Sequence, residues 1–83
     1  MTTEAYVAEP SVPATLRQAL IYPGEDGQWV AECPSLPGCI SQGTSRAAAI
    51  INIREAIRAY VDALEADGLP VPPERFETFL VAV

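Results

Sequence analysis

The groups in this chain that could do chemistry are few, and most of them fall in one short stretch. Glu25, Asp26, Glu32, Cys33 and Cys39 stand there with the only tryptophan, Trp29, in their midst. Paired carboxylates such as Glu25 and Asp26 could hold a metal or relay a proton if further acids converged on them. Their setting in Gly24-Glu25-Asp26-Gly27 instead predicts a hairpin loop, where acids serve turn geometry and solvation. Histidine and lysine are absent, so the commonest general base is missing and nothing nearby lowers the pKa of a thiol. Cys39 after Pro37-Gly38 is therefore a poor nucleophile. Five residues separate it from Cys33, which is no zinc spacing, and no histidine completes a site. No glycine-rich phosphate loop occurs either. The expectation is a protein without catalysis, cofactor or metal, one that acts by contact. Glu25, Asp26, Trp29 and Glu32 are its candidate partner-binding residues: acids for a basic surface, and a tryptophan of the kind enriched at binding hot spots.

Several elements must position these residues. Residues 16–22 read as a first strand, with Leu16, Gln18, Leu20 and Tyr22 on one face and Arg17, Ala19 and Ile21 on the other. Residues 28–33 are its hairpin partner, placing Val30 and Glu32 on one face and Trp29, Ala31 and Cys33 on the other. Pro34 and Pro37 forbid regular pairing, Gly38 allows the chain to turn, and residues 39–43 form a third short strand. Thr44 stands as a hydroxyl cap before a helix over residues 45–66. There Ala49, Ile50, Ile53, Ala56, Ile57, Tyr60, Val61 and Leu64 recur at helical steps and form one apolar stripe, with Ile57 placed mid-helix against the sheet. Gly68 and Pro70 stop the helix. Residues 71–74 are a proline-stiffened loop, and residues 75–83 alternate as a last strand. That strand is apolar and aromatic, so it is expected to be central in the sheet or paired across a subunit interface.

With 83 residues the chain makes one domain near the lower size limit of a self-sufficient core. We divide it into an arm over residues 1–13, with Pro10, Pro13 and no clean period, and a folded domain over residues 14–83. Hydrophobic residues make up 49% and mean hydropathy is +0.17, a surplus of apolar surface that predicts a homo-oligomer, a dimer or higher. The net charge is −6, which disfavours direct nucleic-acid binding and suits a basic partner. No apolar run is long enough to span a membrane and no basic leader is present, so a cytoplasmic location is expected.

The run "EDGQWVAECPSLPGCISQGTS", followed by "AAAIINIREAIRAYVDALEADGLPVPPE", resembles the HicB-like antitoxin family. Members carry an Asp-Gly hairpin, a Leu-Pro-Gly-Cys corner and a Gly before an Ala-rich helix, here Asp26-Gly27, Leu36-Pro37-Gly38-Cys39 and Gly43. The resemblance covers roughly residues 16 to 80. It implies an α+β domain of β-β-β-α-β order, similar to a cut-down ribonuclease H sheet, without that enzyme's acid set. It also implies neutralisation of a small RNA-cleaving HicA-type toxin by direct contact. Full-length HicB antitoxins usually add a C-terminal DNA-binding segment, which this sequence is too short to include. The alternative reading is a solitary homo-oligomeric module of the same family without a toxin partner.

Overall fold

The computed structural model describes residues 16–83, so the arm over residues 1–13 lies outside the described residues. Three strands and one helix follow in order: β1 (Leu20–Pro23), β2 (Trp29–Glu32), β3 (Ile40–Gly43) and α1 (Arg46–Ala66). The sheet is antiparallel in the order β1-β2-β3, with Tyr22 opposite Val30 and Val30 opposite Gln42. The expected α+β class and the first four elements are observed.

The β1–β2 hairpin closes through Gly24 N–H donating to the Gln28 carbonyl at 2.6 Å. Of the two loop glycines only Gly27, at φ 83°, takes the left-handed conformation that a side chain would resist. β1 is shorter than the expected 16–22. Continued two places, the register would set Gln18 opposite Pro34, which has no N–H to give the Gln18 carbonyl. The Gln18 N–H goes instead to Glu74 Oε1 at 3.2 Å.

β2 and β3 are joined by a corner that satisfies its own backbone. Cys33 N–H donates to the Cys39 carbonyl, Leu36 N–H to Cys33 and Cys39 N–H to Leu36, each at 3.0 Å. Leu36 points inward and is fully buried. Tyr60 of α1 donates its hydroxyl proton to the Pro37 carbonyl at 2.9 Å, tying the corner to the helix.

α1 begins one residue later than expected, and its cap is Ser45 rather than Thr44. Ser45 holds an extended backbone, which lets its Oγ accept from Ala48 N at 3.0 Å. The last turn closes with Gly68 N–H on the Glu65 carbonyl and Leu69 N–H on the Leu64 carbonyl, the paired bonds of a Schellman motif. α1 lies close on β3: a Cβ at Gly43 would stand 2.6 Å from Ala49 N and 2.8 Å from the Ala48 carbonyl carbon. Only glycine fits there.

The core comprises Ala31, Cys33, Leu36, Cys39, Ala49 and Ile53, flanked by half-buried Ile21, Trp29, Ala56, Ile57, Tyr60 and Val61. The apolar stripe of the helix thus points where its period places it, but its centre is displaced. Ile53, at 4% exposure, is the deep residue, and Ile57 lies beside the core rather than at its middle. The sheet is short, so the C-terminal half of α1 runs past its strongest cover.

Residues 75–83 form no ladder with the described strands. Among the described residues the expected β-β-β-α-β order is therefore observed through its helix, with no ladder for the last strand. The segment is fixed at its root by the bonds of Gln18 to Glu74 and Phe76, and no described strand pairs with its backbone beyond that. Leu80 and Val83 are exposed to the full extent of an isolated residue.

Candidate partner-binding surface

α1 covers one face of the sheet and leaves the other open. The register lines up Leu20 with Glu32 and Ile40 across the three strands, and Tyr22 with Val30 and Gln42. Side chains alternate along a strand, and Ala31, the residue between Val30 and Glu32, is buried under the helix. These six therefore share the open face. Leu20 is 42% exposed, Tyr22 40% and Ile40 58%, which makes it apolar and wet.

One polar contact crosses this face. Tyr22 donates its hydroxyl proton to Glu32 Oε2 at 2.6 Å, bridging β1 and β2. The hydrogen bond to Glu32, with some desolvation and the carboxylate charge, pushes the Tyr22 phenol above its usual range, so it stays a donor. Shallow hollows flank the strip, one along Val30, Ile40, Ser41 and Gln42 and one between the Cys33–Cys39 corner and Phe76. Such a surface can bury apolar side chains of a partner and receive hydrogen bonds or a cation at Glu32.

The four candidate residues do not form one cluster. Glu25 and Asp26 are exposed at the hairpin tip. Trp29 is half-buried against the core on the helix side. Glu32 stands at the other end of β2, about 10 Å along the strand from Trp29, on the opposite face. The tip acids and Glu32 thus sit on separate parts of the same hairpin.

The thiols are poorly disposed to react. Cys33 and Cys39 are free and buried, and burial, with the neighbouring Cys33, pushes the Cys39 thiol up. Among the described residues no three His, Cys, Asp or Glu side chains gather as a metal site, and no helix is long and apolar enough to cross a membrane.

A second polar cluster had no signal in the sequence. Ser35, nearly buried, donates to Glu74 Oε1 at 2.8 Å and accepts from Arg17 Nη1 at 3.1 Å. Gln18 adds its backbone N–H to Glu74, and its side-chain amide donates to the Phe76 carbonyl at 2.6 Å. Desolvation pushes the Glu74 carboxyl up, but the hydrogen bonds from Ser35, Gln18 and Phe76 and the charge of Arg17 outweigh it and hold the group below its usual range. The separation of 39 positions from Ser35 to Glu74 hides the pair from any local pattern. Its structural role is to anchor the segment that follows the helix.

A UPF0150 protein of Thermoplasma acidophilum is 42% identical over 62 residues, 75% of this chain and 90% of its own length. A UPF0150 protein of Synechocystis is 51% identical over 49 residues, covering 59% of this chain and 62% of that protein. One of Helicobacter pylori is 48% identical over 54 residues, 65% of this chain and 74% of its own. No solved structure matches the chain. A family model described as the HicB-like antitoxin of bacterial toxin-antitoxin systems matches residues 18–81, a span that takes in the hairpin, the corner, the helix and the anchored segment. The chain belongs to the HicB-like antitoxin family.

Proposed function

We propose that this protein is a cytoplasmic antitoxin that binds a small basic HicA-type toxin and masks its RNA-cleaving surface without chemistry of its own. The observation that carries this reading is the open sheet face, an apolar strip of Leu20, Tyr22, Val30 and Ile40 with Glu32 set in it. A soluble domain rarely leaves such a strip uncovered unless a partner covers it. The net charge of −6 suits a toxin that must itself be basic to hold RNA, and it disfavours direct contact of this domain with nucleic acid. Glu25 and Asp26 at the hairpin tip steer the encounter, Glu32 joins the contact, and Trp29 supports β2 from behind.

Co-expression with the product of an adjacent small basic reading frame tests this. Capture of that product by the native chain, lost in Ile40→Asp and kept in Arg58→Ala on the exposed side of α1, supports the reading. Failure of the native chain to capture it, or capture indifferent to Ile40, overturns it. A second reading, a homo-oligomeric module without a toxin, is favoured by a different feature: the bare apolar segment over residues 75–83. The two readings are compatible in one respect, because we propose a homodimer in either case.

A further inference from the structure

The segment over residues 75–83 and the outer edge of β1 both lack a strand partner among the described residues. Residues 75–83 contain no proline and alternate side chains as a strand does. Phe79 is 80% exposed and Leu80 and Val83 fully so, a run of apolar surface that water would drive onto any matching partner. The root of the segment is not loose. Glu74 and Phe76 are hydrogen-bonded to Ser35 and Gln18, which launches it from beside β1 in a fixed direction.

The sheet has two edges, and they differ. Antiparallel pairs alternate between those that exchange hydrogen bonds and those whose backbone groups point outward. The Cys33–Cys39 bond sets the phase for β3, so Gln42 points its carbonyl to the outer side, and there Asn52 Nδ2 donates to it at 2.8 Å. α1 thus takes up one acceptor of that edge. The Gly24–Gln28 bond sets the phase for β1, so Ile21 and Ala19 turn their N–H and C=O groups outward, and no described residue bonds them. Among the described residues the edge at β1 is open.

We propose that residues 75–83 of one copy pair as a strand along the β1 edge of a second copy, and that the second copy returns its own segment in the same way. The result is a closed two-fold dimer with exchanged strands. This gives a mechanism to the homodimer proposed above and rests on it. A second copy fits better than the toxin because the segment carries only Arg75 and Glu77, which cancel, so it has no charge with which to select a basic partner. Size agrees as well. Five apolar side chains from each segment, at roughly 60–120 Å² apiece, and the surfaces that receive them reach the roughly 1,200 Å² or more of a stable homodimer.

The test uses the full chain and the variant Leu80→Asp, whose site is fully exposed and remote from the core. Light scattering at about 100 μM should give twice the chain mass of 8.9 kDa, and Leu80→Asp should weaken the dimer by at least about 100-fold with its helical circular dichroism unchanged. Amide hydrogen exchange should show protection over residues 76–83 in the dimer and its loss on dilution. A monomeric native chain overturns both the exchange and the homodimer. A dimer untouched by Leu80→Asp leaves the homodimer standing and overturns the exchange. Protection that does not change with concentration means the segment is covered within its own chain, and larger assemblies mean open rather than reciprocal pairing; either also overturns it.

Discussion

Ile53 and Glu74 carry more of this fold than their neighbours in sequence suggest. Ile53 is fully enclosed by the sheet and the corner, whereas Ile57 touches the same core from its margin. Truncation to alanine removes burial and leaves a cavity only where the site is closed, so Ile53→Ala should lower stability by about 2–5 kcal/mol. Ile57→Ala should fall at or below the low end of that range, and chemical denaturation of the two variants checks the order. Glu74 acts through charge. Its folded carboxyl is held below the ordinary value of 4.5, so the ionised form is favoured by folding. The sign follows: this contribution is complete above about that value and is lost as pH falls through the lower folded pKa. Glu74→Gln should therefore destabilise the protein near neutral pH and flatten the acid limb of its stability profile. Parallel acid limbs for the native and variant chains would show that Glu74 carries no such linkage.

At the scale of elements, what was legible had a local physical cause. The period of the apolar residues fixed α1 and its buried side, and Gly68 with Pro70 fixed its end, because a helix carries its own hydrogen bonds. The cap was misread by one place. Thr44 and Ser45 both offer a hydroxyl, and the extended backbone of Ser45 makes it the one whose Oγ reaches Ala48 N. Ser45→Ala should thus cost about 0.5–2 kcal/mol while Thr44→Ala costs less, a difference visible in thermal melts. The hairpin and the corner were legible from Asp26-Gly27 and Pro37-Gly38, since turns are set by single residues. Strand ends were not: β1 loses its first half because Pro34 breaks the ladder opposite Gln18, a fact of pairing rather than of β1's own composition. Residues 75–83 show the limit most clearly. Their alternation reads as a strand, but a strand needs a partner, and nothing local to the segment says whose edge supplies it. The Ser35–Glu74 contact that aims the segment is invisible for the same reason.

For the whole molecule, the two surfaces we propose for a toxin and for a second copy lie apart. The hairpin tip carries Glu25 and Asp26 and the open face Glu32, whereas residues 75–83, proposed to pair with the β1 edge, are apolar with only Arg75 and Glu77 charged. If the first faces a basic toxin, its acids should divide by position. Glu25 and Asp26 are exposed at the tip, where charge acts over about 8 Å at physiological ionic strength and steers approach more than it holds the complex. Replacing both with amides should slow association and flatten its salt dependence, with little change in dissociation. Glu32 is different because it is half-buried and already accepts the Tyr22 hydroxyl at 2.6 Å. A partner that covers it desolvates the carboxylate, so its loss is felt in the formed complex. Glu32→Gln should speed dissociation and leave the on-rate nearly unchanged. Surface plasmon resonance at low and high salt separates the two effects. An on-rate indifferent to the tip pair moves the steering charge to the acids of α1, and a dissociation rate indifferent to Glu32→Gln removes the open face from the contact.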